Sequence, residues 1–150
     1  GVNGLLLARE YDYDNGTDCL TILLPSGRKL YYINPSIGQN EWGRPSISYM
    51  GMDQKTKRWK RIETYGGKLV ENCVQAIARD CLAASIDRLE AAKLPVVFHV
   101  HDEVVIDVAP FADEDTMLST VCSIMGEPVP WAPDLPLKAA GWVGYYFTKD

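Results

Sequence analysis

The sequence predicts an α+β fold, an antiparallel sheet carrying one long packed helix, and three observations predict it. Short runs rich in Val, Ile, Tyr and Thr recur between clusters of Gly, Pro, Asn and Asp, which is the pattern of strands joined by tight turns. One segment of about 26 residues, from about Gly67 to Ala92, instead repeats its apolar residues every three to four positions, as a helix does. A second, shorter helical stretch lies near Asp113–Met125.

The bulk properties set the frame for these elements. A chain of 150 residues is most simply one domain, long enough to bury roughly 68–70% of its unfolded surface. Its 47% hydrophobic and 23% charged residues are ordinary for a globular protein. No apolar run approaches the roughly 20 residues of a membrane span and no secretory signal opens the chain, so neither a membrane partner nor export is expected. The start Gly-Val-Asn lacks a methionine, which leads us to expect a fragment or a processed start. Cys19, Cys73, Cys81 and Cys122 are scattered without metal spacing and read as reduced cytoplasmic thiols packed as small hydrophobes. A net charge of −5 argues mildly against a self-sufficient nucleic-acid binder, which usually carries a basic domain.

In order, residues 1–9 are apolar around Leu5–Ala8 and read as the stub of a strand or helix, and residues 11–18 as an acidic, turn-rich loop. Cys19–Leu24 is a strand, Pro25-Ser26-Gly27 its turn and Lys29–Ile33 its partner. Residues 34–44, with Pro35, Gly38 and Gly43, read as a loop. Ser46–Met52 and Arg58–Thr64 form two further strands about a turn at Asp53–Lys57. The cations Lys55, Lys57, Arg58, Lys60 and Arg61 around Trp59 suit either a phosphate backbone or a charged tip that keeps a sheet edge soluble; one cluster in an acidic chain favours the second.

On the long helix, Leu69, Cys73, Val74, Ile77, Cys81, Leu82, Ile86 and Leu89 mark a buried stripe. Gly66-Gly67 opens the helix, and Lys93 with Pro95 closes it. Lys68, Asn72, Gln75 and Arg79 share another narrow line at roughly 100° per residue. Two amides flanked by two cations suit the acceptors of a nucleic-acid minor groove and its phosphates. A plain solvent face explains them equally well. An ordinary solvent face mixes in acids, however, and here Glu71 and Asp80 sit just off the line.

The stretch Val96–Val108 places Asp102 and Glu103 between two β-branched runs, a hairpin with an Asp-Glu tip. Asp-Glu is poor turn chemistry, since tight hairpins favour Asn-Gly or Asp-Gly and adjacent carboxylates repel. Local rules tend to fail at functional sites, and two acids on a rigid tip suit a hard divalent cation. By strand parity, Asp102 is expected on the face of Val100 and Val104, and Glu103 on that of His101 and Val105.

Tyr65-Gly-Gly-Lys-Leu-Val-Glu-Asn-Cys-Val-Gln-Ala-Ile-Ala-Arg-Asp80, followed at a fitting distance by Val100-His-Asp-Glu-Val-Val105, resembles the C-terminal palm region of family A DNA polymerases, phage and prophage versions above all. Leu24-Pro-Ser-Gly-Arg-Lys-Leu30 with Tyr31, and Pro136-Leu-Lys-Ala-Ala-Gly-Trp142, are similar to segments those enzymes carry before the helix and as their final strand. The likeness runs from about Leu20 to Asp150. It implies a partial palm subdomain in which Asp102 binds the two catalytic magnesium ions, with Glu103 as the neighbouring, less critical acid. It implies that His101 steadies the primer, and that Gln75 lies along the minor groove of primer-template DNA. The partners implied are that DNA, deoxynucleoside triphosphates and an upstream polymerase portion or separate subunit, in the cytoplasm of a bacterial host.

The chain departs from the family pattern in places. Glu71 stands where cellular members have an asparagine, with Asn72 one place later, and Gly67 stands where they have an arginine. The family's first motif supplies a second metal-binding aspartate and its second motif a fingers helix that holds the nucleotide; both are expected upstream of Gly1. Two-metal phosphoryl transfer clamps ions about 3.5–4 Å apart, which one hairpin cannot do alone, so the isolated chain is expected to be inactive. Two other classes remain open: a non-catalytic DNA-binding or assembly remnant, and a small metal-dependent nuclease using Asp102, Glu103 and Asp107.

Overall fold

The computed structural model describes residues 4–109 and 112–148. Strands β1 (Leu6–Asp12), β2 (Thr17–Leu23), β3 (Lys29–Gln39), β4 (Pro45–Met52) and β5 (Trp59–Thr64) come first, followed by helix α1 (Gly66–Ala91). Strands β6 (Val96–Val100) and β7 (Glu103–Ile106) and helix α2 (Glu114–Met125) complete the order. The first five strands form an antiparallel meander in sequence order, while β6 and β7, among the described residues, pair only with each other. The fold is α+β, with two antiparallel sheets in place of the single one expected.

Local chemistry explains the hairpins. The β2–β3 turn uses Pro25 and then Gly27, whose φ of +88° would strain any side chain, and closes with Gly27 N–H donating to the Leu24 carbonyl at 2.9 Å. The other three turns of the meander are each held by one side chain accepting backbone N–H groups. Asp12 takes those of Asp14 and Asn15, Asn40 those of Trp42 and Arg44, and Asp53 those of Lys55 and Thr56.

Two sequence expectations fail here. The loop expected over residues 11–18 narrows to a turn, because Tyr11 and Asp12 pair with Asp18 and Thr17. Residues 34–39, expected in a loop, continue β3. Pro35 is tolerated because β2 pairing ends at Cys19↔Ile33, and a bulge between Ile33 and Ser36 absorbs the missing donor. Asn34 takes a φ of +48° in that bulge, a conformation asparagine accepts more readily than most residues.

The chain divides into two compact units, Gly1–Ile77 and Ala78–Asp150. In the first, Ile22, Leu24, Tyr32, Leu69, Cys73 and Ala76 form a buried cluster joined by Leu20, Leu30, Ile47 and Tyr49. Leu20, Ile22, Leu30 and Tyr32 share one sheet face by register, so the first turns of α1 cover that face. The Arg28 guanidinium donates to the Ala76 carbonyl at 2.9 Å, tying the β2–β3 turn to the helix. In the second unit, α1 buries Cys81, Leu82, Ser85 and Leu89, and Arg88 donates to the carbonyls of Glu127 and Pro128 at 2.8 Å each. Val74, expected in the buried stripe, is 61% exposed, since neither buried line of α1 includes it.

Helix α1 ends as its sequence predicts. Leu94 N–H donates to the Leu89 carbonyl and Lys93 N–H to that of Glu90, with Lys93 in the left-handed region at φ +64°. Pro95 then prevents any further turn. Residues 136–142, expected as a final strand, run without ladder partners among the described residues. A Cβ on Gly141 would fall 2.9 Å from Leu118 Cδ1, so this segment approaches α2 closely without joining a sheet.

Candidate functional site

Strand β6 leaves α1 with Val96 N–H donating to the Glu90 carboxylate at 2.7 Å. Its register with β7 then fixes the tip: Phe98↔Val105, His99↔Val104 and Val100↔Glu103. The two turn residues are therefore His101 and Asp102, not Asp102 and Glu103 as expected. Glu103 is the first residue of β7 and shares the face of Val100, Phe98 and Val105. Glu103 shares the face of Val105 as expected, but the parity expected across the tip fails because a turn breaks the alternation it was counted through.

His101 carries the backbone cost of this tip. Its φ of +52° lies in the left-handed region, which costs a non-glycine residue on the order of 1–2 kcal/mol, although histidine enters it more often than most. The two acids thus occupy different structural positions. Asp102 sits in the turn itself, and Glu103 is anchored by strand pairing.

His101, Asp102 and Glu103 are all exposed, and neither carboxylate accepts a hydrogen bond from, or forms an ion pair with, a described residue. Free carboxylate oxygens are the right donors for a hard cation. They are too few to hold one in a closed site, for no group of three His, Cys, Asp or Glu side chains able to share an ion occurs among the described residues. Asp107 lies just beyond β7 and adds no third ligand among the described residues.

The helix stripe is resolved into individual roles. Lys68 Nζ pairs with Glu71 at 2.9 Å, and Gln75 Nε2 donates to the same carboxylate at 3.2 Å. Glu71, which the sequence placed off the line, therefore reaches across to two of its members. Asn72 is half-buried, and its amide donates to the Tyr32 hydroxyl at 3.0 Å. Arg79 is exposed and pairs with no described residue. Of the four residues named from the sequence, Asn72 is committed to the core and Arg79 is free.

Tyr32 is the residue the sequence reading missed. It lies beside Tyr31 with nothing local to separate them, and only the β2–β3 register puts Tyr32 on the helix side, 5% exposed, and Tyr31 outside, 60% exposed. Burial pushes the Tyr32 hydroxyl above its ordinary pKa, against the opposing effect of the Asn72 hydrogen bond. The four thiols are all free; Cys19, Cys73 and Cys81 are buried, and burial raises each above the usual thiol range, so they behave as packing residues. No helix among the described residues is long and apolar enough to cross a membrane.

No family model and no solved structure matches the chain. It is 48% identical over 139 residues to a protein named DNA polymerase from Bacillus phage SP02. That overlap takes in 92% of this chain and 20% of the phage protein, so the chain spans about a fifth of the length of the phage DNA polymerase to which it is similar.

Proposed function

We propose that this chain is the C-terminal palm portion of a family A DNA polymerase of phage type, acting in template-directed nucleotidyl transfer. The observation that carries the reading is the 48% identity over 92% of the chain to one fifth of a phage DNA polymerase. Two unpaired, exposed carboxylates, Asp102 beside the strained His101 in the turn and Glu103 at the start of β7, add to it. In this reading Asp102 is one ligand of a magnesium pair, with Glu103 supporting it from the strand and His101 placing the primer end. Magnesium would supply charge for the oxygens of the transferring phosphoryl group. Because two carboxylates are an incomplete set, the reading requires an acid from an upstream portion, either in the same polypeptide or in a separate subunit. The substrates would be primer-template DNA and deoxynucleoside triphosphates, with Gln75 and Arg79 facing the duplex.

The test is reconstitution. The 150-residue chain alone should extend no primer, and adding the upstream polypeptide should restore extension. In that complex Asp102→Ala should abolish incorporation while DNA binding persists, Glu103→Ala should leave measurable activity, and His101→Ala should act mainly on primer placement. Extension by an Asp102→Ala complex at the parent rate would end this assignment. DNA binding that never yields extension would favour a non-catalytic remnant.

A further inference from the structure

The β4–β5 hairpin carries a feature that the helix stripe and the acidic turn do not account for. Between Asp53 and Arg61 stand five cations and one acid, in a chain whose net charge is −5. The structure divides those cations into two groups. Lys60 pairs with Asp53 at 2.6 Å, and Arg61 donates to the Asn34 carbonyl and Ser48 Oγ at 3.2 Å each, so both are used within the sheet. Lys55, Lys57 and Arg58 are exposed in the turn, and no described residue pairs with them.

The sequence favoured edge protection, and the positions of the free cations argue against it. β5 is an edge strand, and charges that protect an edge belong along it, where Lys60 and Arg61 stand. Lys55, Lys57 and Arg58 lie beyond the last ladder pair, Met52↔Trp59, where no edge remains to protect. Trp59 contradicts edge protection more directly. It is 54% exposed, opposite Met52 at 48%, so an aromatic platform sits beside the three cations.

The turn is also preorganised. The Asp53 carboxylate accepts the N–H groups of Lys55 and Thr56 at 2.9 and 2.7 Å and the Thr56 hydroxyl at 3.0 Å. Asp53 N–H donates to the Arg58 carbonyl, and Lys57 N–H donates to the Asp53 carbonyl. Lys57 is held at φ +54°, a conformation a lysine adopts only when its surroundings impose it. Cations carried on a fixed turn beside an exposed indole match a chain that alternates phosphates with stackable bases. A membrane surface would need no such rigid frame.

The geometry points to the β4–β5 hairpin as a single-stranded nucleic-acid contact, in which Lys55, Lys57 and Arg58 meet phosphates and Trp59 stacks on a base. The site lies outside the helix stripe and the acidic turn, and it rests on the polymerase reading only for the strand being DNA.

Titrating the full chain with oligothymidylate over a salt series, while following tryptophan fluorescence, tests it. The parent should bind with quenching. Lys55→Gln, Lys57→Asn and Arg58→Gln together should flatten the salt dependence by about two units of log–log slope; asparagine suits the left-handed position at 57. Trp59→Ala should lose the quench and weaken binding roughly fivefold or more, with Trp59→Phe between. A parent that does not bind, a triple variant with parental affinity and slope, or equal binding to vesicles of anionic phospholipid would overturn the assignment. The binding is read on the chain alone and the catalytic reading on extension by the reconstituted complex, so failure of the catalytic reading stays separate from failure of this one.

Discussion

The Asn72 amide donates to the Tyr32 hydroxyl across the interface between α1 and the sheet, at 3.0 Å. The two partners differ in exposure, and that difference makes a prediction. Tyr32→Phe leaves Asn72 half-exposed, where water can take its donor, and should cost about 1 kcal/mol. Asn72→Ala strands a hydroxyl on a residue only 5% exposed and should cost more, about 1–3 kcal/mol. Urea melts of both variants and the double variant would check this; equal costs would show that the hydroxyl finds another partner.

Thr64 presents the opposite case. It is 4% exposed, and its Oγ1 has no hydrogen-bond partner among the described residues. Thr64→Val replaces that hydroxyl with a methyl group of similar volume. It should leave stability unchanged or raise it by about 1 kcal/mol, read as a higher thermal midpoint. A clear loss of stability would mean the hydroxyl is satisfied in solution.

Asp53 ties the β4–β5 turn to pH. The hydrogen bond from Lys60, followed by that from the Thr56 N–H, holds its carboxyl far below the usual range. A depressed folded pKa means the charged form stabilises the fold. That stabilisation is present above the unfolded value of about 3.9 and is lost as pH falls toward the lower folded value. Amide protection of Lys55 and Thr56 should therefore survive to about pH 4 and fade only below it. Asp53→Asn should lose that pH dependence.

On the proposed reading, His101 separates stability from function. Glycine pays no Cβ penalty at φ +52°, so His101→Gly should hold stability level or raise it by up to about 1 kcal/mol in the chain alone. In the complex with the upstream portion it should lower extension. If the substitution destabilises the chain, the ring makes contacts that outweigh the strain.

Glu71 reaches both Lys68 and Gln75, so it competes with any polyanion for the helix stripe. Glu71→Gln should raise duplex affinity by up to about fivefold by freeing Lys68 and removing a like charge. Arg79→Ala should lower it and reduce the salt slope by about one unit. If neither variant changes duplex binding while the fold is intact, the stripe is a solvent face.

What the sequence determined by itself was local. The extent of α1, its end at Lys93-Leu94-Pro95, the turn at Pro25–Gly27, α2 and the core of four strands were legible, because each rests on spacing, caps and turn residues within a few positions. The polymerase likeness was legible too, since it is carried by residue strings. The tertiary structure decided whatever depends on pairing between distant segments. Pro35 could lie inside β3 only because β2 ends beside it, and Tyr32 rather than Tyr31 met Asn72 only through register. Glu103 rather than Val104 opened β7 because ladder pairs, not a count of alternating residues, place the turn. Register is a property of two strands together, and one strand's sequence specifies only which of its own residues share a face.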